Sequence, residues 1–76
     1  MNVEWDAYAT DDWTRLEYED AKRVARAVDR WSKTGDGVVD AAEGGGVFRL
    51  YTGAHVVVFL IDTSTDTMHV VQVRRA

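Results

Sequence analysis

His55-Val-Val-Val-Phe-Leu-Ile61 is the most apolar run of the chain, and the segment around it, Gly46 to Val73, organises the rest. The run is β-branched or aromatic at most positions and carries no charge from Val56 to Ile61, so it reads as a strand buried on both faces. The side chains of Val56 to Ile61 contribute roughly 1.5–3 kcal/mol each on burial, against roughly 1–2 kcal/mol of backbone entropy per ordered residue. A strand with that margin can centre a small core.

Outward from it, Val47 to Thr52 forms a preceding strand across a turn at Gly53-Ala54. A polar turn from Asp62 to Thr67 leads into a last strand from Met68 to Arg74. The three make an antiparallel meander. A turn centred near Ser64 and Thr65 sets Leu60 opposite His69 and Arg74 opposite His55, while Arg49 is expected to pair near Val56. Gly35 to Gly46 reads as a loop in which Val38, Val39, Ala41 and Ala42 give some anchorage between two glycine clusters. Gly44-Gly-Gly46 lacks the spacing and following helix of a phosphate-binding loop and serves the turn into the next strand.

Towards the N-terminus, Val3 and Trp5 alternate with polar residues in a short first strand. Asp6 is placed to cap a helix through Leu16 whose apolar residues are Ala9, Trp13 and Leu16, with Asp11 and Asp12 expected in its first turns. A second helix is predicted from Glu19 to Lys33. Ala21, Val24, Ala25, Val28 and Trp31 form its apolar stripe, Lys22, Arg23, Arg26, Arg30 and Lys33 its basic one, and Gly35 its left-handed stop. The fold class is therefore α+β: a short strand, two helices, then the meander with both helices packed on one face.

With 76 residues, the chain reads as a single domain, 1–76, of modest stability, burying about 60% of the surface it would expose unfolded. It has no cysteine, which excludes disulfides and thiolate chemistry, and neither a signal peptide nor a membrane span is expected, so it reads as cytoplasmic. Net charge is −4, distributed as −6 over residues 1–20, +4 over 21–34 and −2 over 35–76. An acidic total argues against general nucleic-acid affinity but leaves the basic helix face free for a directed contact.

Few residues suggest chemistry. His55 and His69 are several residues apart along the sheet and read as polar positions on its open face, so no metal site is expected. Ser32 and Ser64 have no base at a recognisable spacing, and Trp5, Trp13 and Trp31 read as core. The basic stripe reads either as a solvated helix face or as a docking surface for an acidic segment or for RNA phosphates. Arg49, Arg74 and Arg75 are a second basic group, expected to meet on one side of the meander as a sparse phosphate site.

The order of elements, together with Phe48-Arg-Leu-Tyr-Thr-Gly-Ala-His-Val-Val-Val-Phe-Leu-Ile-Asp62, resembles the RelE/ParE superfamily of toxin-antitoxin toxins, and the likeness extends over nearly the whole length. That segment is similar, without a gap, to the family pattern Tyr-Arg-Leu-Arg-Val-Gly-Asp-Tyr-Arg-Val-Val-Phe-Arg-Ile-Asp, and His69-Val-Val-Gln-Val-Arg-Arg75 resembles the closing strand. The resemblance implies a toxin-like component of a type II toxin-antitoxin pair on a ribosome-dependent messenger RNA endonuclease fold. A cognate antitoxin is the implied partner, with the ribosome and its messenger RNA the implied target; no cofactor is implied. Arg49 matches a catalytic base of the family. Tyr51 stands where a second base is common, Val56 where the central strand has an arginine, and Ala76 where a late arginine falls; Arg75 replaces it only if the register slips by one. Weakened or lost ribonuclease activity is thus expected, the alternative being a non-enzymatic protein-binding module on the same fold. The implied partner-binding residues are Lys22, Arg23, Arg26, Arg30 and Lys33.

Overall fold

A computed structural model describes residues 1–42 and 44–76. Strand β1 (Asn2–Trp5) leads into helices α1 (Ala7–Thr14) and α2 (Tyr18–Thr34), followed by strands β2 (Val38–Ala41), β3 (Val47–Thr52), β4 (His55–Asp62) and β5 (Thr67–Arg75). These strands form one sheet of order β1-β5-β4-β3-β2. Neighbours are antiparallel except β1, which runs parallel to β5. The predicted meander is β3-β4-β5, and the sheet extends it by one strand on each side.

Local chemistry sets the helix ends. Asp6 accepts from the Ala9 backbone N–H at 2.8 Å, capping α1. Gly35, at φ 76°, closes α2 with its N–H on the Trp31 carbonyl at 2.9 Å, a conformation that glycine adopts without a Cβ penalty. Ala9, Val24 and Val28 from the helices meet Leu50, Val57, Phe59, Met68, Val70 and Val73 from one face of the sheet in a single core. Trp13 and Trp31 pack against it, Trp31 with its ring 4.8 Å from that of Phe59. Both helices thus lie on one face, as expected.

Four expectations need correction. First, the segment read as a loop from Gly35 to Gly46 contains β2. Val39 faces the core opposite Leu50, and Asp40 pairs with Arg49 on the other face, so the two valines follow strand alternation. Second, Asp11 and Asp12 lie in the second half of α1. Asp11 pairs with Arg15 one turn on at 2.8 Å and Asp12 accepts from the Val73 N–H at 3.1 Å; a local ion pair and a tertiary hydrogen bond outweigh the helix dipole there. Third, His55 is buried, 4% exposed, because it shares the parity of Val57 and Phe59 on the side facing the helices. Fourth, the central run is buried on both faces only in its first half: Val56 is 1% exposed, whereas Val58 is half-buried and Leu60 is 38% exposed.

The pairing register also differs from expectation, and the reason bears on function. The two-residue turn pairs Thr52 with His55 and so Arg49 with Val58, not Val56. Leu60 lies opposite His69 as expected, but Val58 pairs with Gln72 while Phe59 pairs with Val70, leaving Val71 as the extra residue of a β-bulge. That residue shifts the end of β5 by one place. Arg74 then falls opposite Val56 rather than His55, and Arg75 takes the place opposite His55.

Candidate functional site

Strand alternation divides the basic residues of the meander. Arg49 on β3 and Arg74 on β5 share the open face, flanking β4, whereas Arg75 has the parity of Val73 and His55 on the other face. The bulge makes this assignment, since an unbulged β5 would have turned Arg74 towards the helices. Asp12 holds it by accepting the Val73 N–H. Between the two arginines, Tyr51 and Val56, the positions where the resemblance leads one to expect bases, form a cross-strand pair. The middle of this face therefore offers a phenol and an aliphatic group where a phosphate-binding surface needs cations.

Arg49 itself is engaged. Its Nε donates to Asp40 Oδ1 at 2.7 Å, and the Tyr51 hydroxyl donates to Asp40 Oδ2 at 3.1 Å. The hydrogen bond to Asp40, then the charge of Asp40 and of Tyr51, raise the Arg49 pKa above its ordinary value. Asp40 was not foreseen as a site residue. Its signal in the sequence is the pair Val38-Val39 ahead of it, which reads as a strand once the glycines on either side are taken as its limits. Across the sheet, on the same face, His69 Nδ1 lies 3.4 Å from Glu4 Oε2. Asp62 keeps a local role in its turn. The hydroxyl and backbone N–H of Ser64 donate to it and lower its pKa below the usual carboxylate value, against a smaller opposing effect of burial. No group of three metal-ligating side chains occurs among the described residues.

The basic stripe of α2 splits in two. Arg23, Arg26 and Arg30 line an open groove of about 590 Å³ between α2 and the β2–β3 edge of the sheet, together with Val38 and Thr52. Lys22 and Lys33 do not. Lys22 lies 4.0 Å from Glu19 and over the Tyr18 ring, and Lys33 lies 3.1 Å from Asp29. In the groove, Arg23 is held by Asp20 at 3.0 Å and Arg30 by Asp36 at 3.6 Å. Arg26, between them, has no acidic partner among the described residues.

No family model matches the chain, and no curated protein matches it. Solved structures do. A YoeB/ParE toxin from Agrobacterium tumefaciens superposes with a TM-score of 0.81 at 20% identity, covering 100% of this chain and 99% of that one. The archaeal RelE–RelB complex from Pyrococcus horikoshii gives 0.82 at 14% identity over 97% and 92% of the two chains. The intact Escherichia coli RelBE toxin-antitoxin complex gives 0.81 at 11% identity over 99% and 95%. The chain has the fold of RelE/ParE toxins, and the resemblance read from its sequence is borne out at that level. None of its helices is long and apolar enough to cross a membrane among the described residues.

Proposed function

We propose that this chain, with the fold of RelE/ParE toxins, is the toxin-type member of a toxin-antitoxin pair, acting as one domain in the cytoplasm with weakened or lost ribonuclease activity. The observation that carries the proposal is the open face. Of the bases that the resemblance implies, Arg49 alone is matched; it lies on the open face bound to Asp40, with Tyr51 and Val56 in the neighbouring positions. Cleavage at a 2′-hydroxyl needs an activated oxygen and a stabilised phosphorane, and one lost stabiliser costs about 2.7–4 kcal/mol in comparable sites. Two missing arginines leave little rate. Arg74 is the one further arginine on that face among the described residues, and Arg75, paired with His55, has the parity of the other face.

The proposed partner is an antitoxin, with ribosome-bound messenger RNA as the ancestral target. Several of the structural neighbours are toxin-antitoxin complexes, and the stripe Lys22, Arg23, Arg26, Arg30 and Lys33 supplies a surface to steer an acidic segment. Arg26, with no acidic partner among the described residues, favours a second reading, a binding module that has kept the partner surface and dropped the chemistry.

Expression of the chain alone, and together with the product of any adjacent short reading frame, separates these readings. An antitoxin-like neighbour that co-purifies, with little growth arrest from the chain alone, is the expected result. A neighbour together with full arrest would mean an active toxin, and neither would overturn the pairing.

A further inference from the structure

Asp40 is an odd residue to find on this face. A phosphate-facing surface gains from cations, yet the short edge strand β2 presents a carboxylate whose two oxygens each take one donor, Arg49 Nε at 2.7 Å and the Tyr51 hydroxyl at 3.1 Å. A guanidinium and a phenol reaching two oxygens of one anion is also how a phosphate group is held. The two donors lie on β3 two residues apart, and Asp40 reaches both from the position directly paired with Arg49. All three groups reach solvent, Asp40 being 49% and Arg49 34% exposed, so an outside anion can approach the same donors. The strand that holds the carboxylate is a short edge: β2 is four residues long, pairs with β3 alone among the described residues, and lies between glycines at positive φ, Gly37 before it and Gly44 after it.

We propose that Arg49 and Tyr51 form an anion site for a phosphate group and that the chain's own Asp40 occupies it, as an intramolecular competitor. This rests on the proposed reading of the open face as the side towards nucleic acid, and it adds a second cause of weak activity to the missing bases. The competition is mild. Exposed ion pairs shift equilibria by about 1.5- to 5-fold, and the second donor from Tyr51 brings the expected effect of removing Asp40 to about three- to tenfold.

Asp40→Asn keeps the shape of the side chain and removes its charge. Asp36→Asn, which removes an equal charge beside Arg30 in the α2 groove, controls for net charge. In a titration with inorganic phosphate, followed by the Arg49 Nε–Hε resonance, Asp40→Asn is expected to respond at about three- to tenfold lower concentration than wild type. Asp36→Asn is expected to titrate as wild type does. Equal midpoints for wild type and Asp40→Asn, or equal gains in the two variants, would overturn the proposal. A labelled single-stranded oligoribonucleotide at low salt then separates the sources of phosphate. The same order of affinities, with the gain lost in Asp40→Asn/Arg49→Ala, places an RNA backbone at the site. Tighter phosphate binding with no RNA binding by any form would uphold Asp40 as the competitor and overturn the RNA reading of the face.

Discussion

Towards the helices, Leu50, Val57, Phe59, Met68 and Val70 are each at most 1% exposed and form one core. On the other side of the same strands, Arg49, Tyr51, His69 and Asp40 engage one another or Glu4, and Leu60 is 38% exposed. Strand alternation alone separates the two sets, so neighbouring residues answer to different pressures: volume and apolarity on one side, charge and geometry on the other. The helix-covered face accounts for the fold shared with the toxins. The open face carries the residues on which the proposed loss of activity rests.

Substituting adjacent residues breaks this comparison most directly. Val57→Asp buries an unpaired charge at a fully buried position and is expected to cost about 4 kcal/mol or more, close to the whole stability of a domain this size. Val58→Asp, one residue along on the half-buried open face, is expected to cost about 1–2 kcal/mol and to leave a folded protein. Thermal unfolding followed by circular dichroism checks both. Equal losses would show that the sheet is not one-sided.

Asp12→Ala probes the link between the two faces. Loss of the carboxylate leaves the Val73 N–H without its partner next to the bulge and is expected to cost about 1–3 kcal/mol in denaturant unfolding. Val73, normally 5% exposed, is expected to lose amide-exchange protection relative to the rest of β5. A variant as stable as wild type, with unchanged protection at Val73, would mean that the bulge holds without Asp12.

The smallest expected effect on stability comes from the α2 groove. Arg26→Glu/Arg30→Glu is expected to unfold at the wild-type temperature within a few degrees. Association with an acidic partner, measured by stopped flow, should slow about tenfold at low salt and lose most of its salt dependence. Rates unchanged at both low and high salt would mark the stripe as a solvated helix face.

These differences follow what was legible from residues alone. The core face was readable because its signals are local: β-branched runs, a 3.6-residue stripe on α2, and capping residues at Asp6 and Gly35. The open face was readable only in part, because its geometry depends on pairing. A single extra residue at Val71 decides whether Arg74 or Arg75 joins Arg49, and nothing in Met68 to Arg74 marks a bulge; its stabiliser, Asp12, lies 61 residues away in the chain. Asp40 was hidden for a related reason, since a four-residue edge strand between glycines looks like a loop until its neighbour is known.

The proposed loss of ribonuclease activity rests on an open face poor in free cations. Incubating purified protein with ribosomes programmed with a defined messenger RNA, and mapping the cut ends for wild type and Arg49→Ala, tests it most directly. Cleavage at or barely above background in both is the predicted result. Robust cleavage by wild type that disappears in Arg49→Ala would contradict it, showing that Arg49 works free of Asp40 and that other residues supply the bases that Tyr51 and Val56 lack.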